Sequence, residues 1–140
     1  MLDLHNKIDV RLLFPPIAAV TDNAAQVSSI IDLANAQGCE LCLIPGTDAD
    51  VDAVFNVTID EGDVANLSDA APVAAGQLIG TLAQGSWTFA DDNKPRKIGY
   101  NGTKRYIRAT VTPVGNAGNL FLAGVAVVFM KIGPTANPPA

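Results

Sequence analysis

Few residues in this chain could do chemistry. Cys39 and Cys42 have C-x-x-C spacing, which suits a redox pair or half of a zinc site. A redox pair works at a helix N-terminus, where the thiolate is stabilised. Here the residues around Cys42, Glu40-Leu41-Cys42-Leu43-Ile44, read as a strand. Positions three apart on a strand lie about 10 Å apart and face opposite sides, too far for a mutual disulfide. Zinc would need two more ligands, and the sole histidine is His5, near the N-terminus. The two cysteines read as small half-buried residues. Whichever faces outward is the candidate for an intermolecular disulfide.

The other oxygen-rich stretch is Thr47-Asp48-Ala49-Asp50-Val51-Asp52. An EF-hand loop needs Gly at its sixth position and Glu at its twelfth; counted from Asp48 these are Ala53 and Ile59. The stretch reads as a solvated turn. A lone histidine near the N-terminus argues against a Ser-His-Asp or Cys-His arrangement. No H-E-x-x-H and no Gly-rich phosphate loop followed by Lys is present. The expectation is a protein without catalysis, metal or cofactor.

The basic residues Lys94, Arg96, Lys97, Lys104, Arg105 and Arg108 span a turn and two expected strands. Either they are a solvated face balanced by Asp91 and Asp92, or, together with Tyr106, they touch an acidic partner surface. The net charge of −5 and pI of about 4.5 argue against a nucleic-acid partner, which calls for clustered excess Lys and Arg. Met1 to Lys7 carries acids and no apolar run, so it does not read as a signal peptide. The longest apolar run, Leu120 to Met130, is interrupted by Gly124 and is far short of the ~20 residues of a membrane helix. Neither a membrane nor a secretory address is expected.

The elements that must position these residues are strands. Phe55, Val57 and Ile59 alternate with Asn56, Thr58 and Asp60; Ile107, Ala109 and Val111 alternate with Tyr106, Arg108, Thr110 and Thr112. Period-two alternation predicts sheets with one wet face. Further strands are predicted at Ile8–Phe14, Val27–Leu33, Glu40–Ile44, Gln77–Leu82, Trp87–Ala90, Arg96–Tyr100 and Asn119–Lys131. The last is apolar on both faces, so it must be central or covered by another chain. Asn101-Gly102 signals a two-residue hairpin, and Asp69 to Ala75 a short helical turn limited by Pro72.

The 140 residues fit one domain, and the apolar 49% is rich in Ala and Val, so small buried positions are expected to outnumber aromatic ones. The predicted fold is all-β: a single-domain antiparallel β-sandwich, jelly-roll-like, over residues 1–140. Residues 1–6 form an N-terminal arm. Residues 132–140 form a Pro-rich tail whose Pro134, Pro138 and Pro139 could dock on a neighbour.

Several segments carry a wider likeness. They are Phe14-Pro15-Pro16 with Val20-Thr21-Asp22-Asn23, Ile30-Ile31-Asp32, Gly62-Asp63, Asn66-Leu67-Ser68-Asp69-Ala70 and Phe89-Ala90-Asp91-Asp92-Asn93. Lys97-Ile98-Gly99-Tyr100, Lys104-Arg105-Tyr106-Ile107-Arg108, Val111-Thr112-Pro113 and Gly115-Asn116 complete the set. In these the chain resembles a family of small structural proteins of tailed bacteriophages and prophages. The resemblance implies a virion head component made in the host cytoplasm. Within that class it favours a capsid decoration protein on the outside of the shell, with the major capsid protein and copies of itself, often trimers, as partners. Cys39 and Cys42 depart from the family pattern. A tail or head-to-tail connector protein fits the same composition. A jelly-roll carbohydrate-binding module would need exposed aromatics, for which only Trp87, Tyr100 and Tyr106 are candidates.

Overall fold

The computed structural model describes residues 3–16 and 18–131. Two antiparallel sheets enclose one core. The first has five strands: β1 (Ile8–Phe14), β11 (Leu120–Met130), β4 (Ala36–Asp48), β9 (Arg96–Tyr100) and β7 (Leu78–Ile79), in that spatial order. The second is built on β10 (Tyr106–Val114), flanked on one side by β2 (Gln26–Val27) and β3 (Ile31–Asp32). On the other side lies β5 (Val54–Gly62), which carries β6 (Ala71–Pro72) and β8 (Trp87–Thr88). This is the antiparallel β-sandwich that the alternation predicts.

The inner faces follow the period-two pattern. Phe55, Val57 and Ile59 meet Ile107, Ala109 and Val111 in one core with Leu41, Leu43, Ile98, Leu120 and Val128 of the facing sheet. Burying one such side chain stabilises the fold by about 1.5–3 kcal/mol. The core is more aromatic than composition suggests: Phe14, Phe55, Trp87 and Tyr100 are all buried, and the Phe55 and Trp87 rings stack with centroids 5.3 Å apart. Ala53, Ala109 and Ala126 leave room for them.

Several expected elements differ. The predicted strand 27–33 is broken, because Ser28 intervenes. Its backbone N–H donates to the Ala109 carbonyl at 2.9 Å and its hydroxyl accepts from Ala109 N–H at 3.0 Å. Ser29 N–H then turns to the Leu13 carbonyl in the other sheet at 3.0 Å. The predicted strand 77–82 is strand only at β7; Gln77 ends a 3-10 turn (Ala75–Gln77) and Leu82 opens a one-turn helix α1 (Leu82–Gly85). A reciprocal Thr81–Gln84 capping box starts α1. A Cβ on Gly85 would lie 2.1 Å from Ile98 Cδ1, so only glycine lets α1 sit this close. The expected helical turn at 69–75 is partly β6, and Trp87–Ala90 bends into a 3-10 turn after Thr88.

Asn101-Gly102 is not a hairpin. β9 and β10, on either side of it, belong to different sheets, and neither residue takes a positive φ. The Tyr100 ring folds over the turn: its hydroxyl accepts from Lys104 N–H at 3.1 Å, and a Cβ on Gly102 would fall 2.2 Å from that hydroxyl. The glycine is needed for the ring to close, not for a tight turn between paired strands.

At the N-terminus, residues 3–7 form a turn rather than a free arm. Lys7 and Ile8 N–H both donate to the Leu4 carbonyl, and Asp3 accepts from Asn6. Residues 1–2 and the tail 132–140, with Pro134, Pro138 and Pro139, lie outside the described residues.

Candidate functional site: an apolar sheet face

The two sheets present very different exteriors. On the outside of the β10 sheet, Asn56, Thr58, Asp60, Arg108, Thr110 and Thr112 share a face. That is the wet surface the pattern predicts. On the outside of the five-stranded sheet the register aligns Leu12 with Val125 and Cys42, Val10 with Val127 and Glu40, and Ala123 with Ile44. Gly99 and Ile79 continue the row beyond Glu40. Leu12, Ile44 and Ile79 are 54%, 45% and 64% exposed, and Phe121 and Phe129 are 47% and 43% exposed.

β1 explains how this face arises. Its apolar residues Val10 and Leu12 point outward, whereas Asp9 and Arg11 lie opposite Val128 and Ala126 on the core side. Arg11 pairs with Asp9 at 2.7 Å and donates to the Asp32 carbonyl of the other sheet, bridging the sandwich at its edge. Inward-pointing charge on an edge strand blocks strand addition. β11 is central, between β1 and β4, yet its outward residues remain uncovered among the described residues.

The two cysteines take the positions that strand geometry predicts, on opposite faces. Cys39 is buried and Cys42 half-buried, and both are free thiols. Burial pushes the Cys39 thiol up to about 12 and also raises Cys42, with Glu40 adding to the effect. Cys42 is therefore the outward thiol, in the middle of the apolar face.

The basic residues do not form one patch. Arg96 and Lys97 are on the five-stranded sheet, Tyr106 and Arg108 on the other. Lys94 and Arg96 reach Asp91 (3.5 and 2.7 Å), and Lys104 pairs with Asp63 (2.5 Å). Arg105 pairs with Asp32 (2.9 Å) and Arg108 with Asp60 (3.1 Å). Arg105 also lies 5.1 Å over the Tyr106 ring. Among the described residues only Lys97 of the six lacks an acidic partner, and it stands on the apolar face opposite Cys42. Glu40, which sequence reasoning did not single out, is likewise without a side-chain partner there. The signal for this face was present in the double-sided apolarity of 119–131.

The aspartate stretch is not simply a solvated turn. Asp48 is 2% exposed. Its carboxylate accepts from Asp50 N–H at 3.1 Å, its own N–H donates to Asp92 at 2.9 Å, and its Oδ2 is buried without a partner. Burial, then the charges of Asp92 and Asp50, raise its pKa. Asp50 accepts from Ala117 N–H at 2.6 Å. Nearby, buried Asn116 donates to the Val20 and Asp22 carbonyls at 3.3 and 3.1 Å. The segment 20–23 is thus tied to the β10–β11 loop. Among the described residues no cluster of three metal-ligating side chains forms, and no helix is long and apolar enough to cross a membrane.

No protein-family model matches the chain, and no curated protein matches it. Among solved structures it is similar to the CBM22-1–GH10 modules of Clostridium thermocellum endo-1,4-beta-D-xylanase 10B, complexed with xylohexaose. That match has 7% identity and a TM-score of 0.40, over 91% of this chain and 25% of that one. It is also similar to a xylan-binding module, CBM15, at 9% identity and a TM-score of 0.37, over 91% and 94% of the two chains. The chain spans about a quarter of the xylanase chain.

Proposed function

We propose that this protein is a non-enzymatic structural component of a tailed-bacteriophage virion, a capsid decoration protein that acts by binding other protein subunits. The observation that carries the binding role is the apolar exterior of the five-stranded sheet, set against the polar exterior of the other. Exposed apolar patches beyond a few hundred Å² on a compact domain mark association surfaces. The place in the virion rests on the sequence resemblance, and the major capsid lattice is the partner it implies. Of the three aromatics that the sequence offered for a sugar platform, Trp87 and Tyr100 are buried in the core and Tyr106 lies against Arg105; the exposed rings are Phe121 and Phe129 of the apolar face. The reading is tested by locating the protein in a reconstruction of the particle that encodes it. Density on the outer shell supports it. Density in the tail or connector, or binding to a glycan array with no particle density, overturns it.

A further inference from the structure

We infer that the outer face of the five-stranded sheet is a two-fold interface with a second copy of this chain, a reading that rests on the assembly role proposed above. The face is almost wholly apolar but carries two charges, Glu40 and Lys97. Register puts Cys42 opposite Lys97 and Glu40 opposite Gly99. The two charges therefore stand one strand and two residues apart, about 8 Å by ordinary sheet spacings. Neither side chain has an ion-pair partner among the described residues, whereas the other five members of the basic set all do.

Covering this face desolvates both charges, and a partner that offers a cation to Glu40 and an anion to Lys97 offsets that cost. A second copy supplies both at once. A two-fold axis in the plane of the interface, bisecting the line from Glu40 to Lys97, sets each Glu40 against the other copy's Lys97. Projected onto the sheet, and by the same spacings, Cys42 lies within about 2 Å of that axis. The size is adequate: four adjacent strands by the outward run from Phe121 to Phe129 project on the order of 500 Å². Side-chain relief raises the accessible area towards the roughly 800 Å² per partner of a stable interface. Association by sheet extension is closed off, since Asp9 and Arg11 blunt the β1 edge and β7 has only two residues. The second copy takes the apolar face and leaves the polar sheet and the ends of the sandwich for other subunits.

The test is sedimentation velocity on the full chain with single charge reversals, Glu40→Lys and Lys97→Glu, and the double reversal. Both positions are on the surface, and circular dichroism checks that each variant folds. The wild type is expected to be dimeric at micromolar concentration. Each single reversal weakens the dimer at least tenfold, and the double reversal restores it to within a few-fold. A short bismaleimide should join two copies through Cys42, and Cys42→Ser should abolish the product. A monomeric wild type, or a double reversal no better than the singles, overturns the inference. Particle binding separates it from the assembly role. If monomeric protein still binds capsids and loses them on Val125→Asp, the face belongs to a capsid subunit, and only the second-copy inference fails. If Val125→Asp changes neither association nor decoration, the face makes no contact and the second-copy inference fails, while the decoration role stands on other surfaces.

Discussion

The hydroxyl of Tyr100 donates to the carboxylate of Glu61, joining the two sheets through the core. Tyr100 belongs to β9 and Glu61 to β5, and the two are 3% and 8% exposed. Burial, reinforced by this bond, raises the tyrosine pKa well above its usual range. Tyr100→Phe removes the donor to a buried carboxylate and the acceptor for Lys104 N–H. The expected loss is about 2–3 kcal/mol, read as a lower urea midpoint with an unchanged slope. Glu61→Gln, which keeps an acceptor, should cost less.

Asp48 supplies a pH-dependent prediction. Its folded pKa is raised, so the folded state binds this proton more tightly than the unfolded state does. Its contribution to stability is then largest below the unfolded value of 3.8 and is lost as pH rises through the folded value. Asp48→Asn should therefore raise stability at pH 7 by on the order of 1 kcal/mol, seen as a higher melting temperature, by relieving an unpartnered buried carboxylate oxygen. The advantage should shrink as pH falls towards 4. Melting curves of both proteins between pH 4 and 8 check the sign; a constant difference would mean that charge is not the cause.

The cysteines should differ in access. In the native protein at pH 8, a thiol reagent is expected to label Cys42 slowly and Cys39 only after unfolding in guanidinium. Intact mass of the free monomer should not change with reductant beyond any adduct on Cys42. Rapid labelling of two thiols in native protein would contradict the burial of Cys39.

Removing residues 1–6 and 132–140 should leave the free protein folded, because among the described residues every ladder lies between Ile8 and Met130. The melting temperature is expected to move by no more than a few degrees. Affinity for particles should fall, as the Pro-rich tail would lose little entropy on docking. Truncated protein that decorates particles as tightly as the full chain would remove the terminal segments from the binding mechanism.

Much of the fold was legible because one face of the β10 sheet is wet. Along Phe55–Asp60 of β5 and Ile107–Thr112 of β10 polarity states which way each residue points, and β1 and β9 have the predicted limits. The hairpin at Asn101-Gly102 was misread because local turn chemistry is silent about which sheet a strand joins; the Tyr100 ring decides that through residues far away in sequence. The helix α1 did carry a local signal, the Thr81-x-x-Gln84 capping box, that the strand pattern masked. The candidate face was only half legible. The double-sided apolarity of β11 announced a covered or central strand, but the inversion in β1, charges inward and apolar residues outward, becomes visible only when Arg11 is seen reaching Asp32.

The single tryptophan gives the molecule a built-in reporter. Trp87 is 3% exposed and stacked on Phe55, at the interior of the sandwich and away from the outward rows of either sheet. Its emission should be that of an indole shielded from water and should shift to the red only when the two sheets part. Fluorescence will follow unfolding of the sandwich while staying blind to whatever settles on its outside, so a ligand or subunit that changes the tryptophan spectrum has reached into the core.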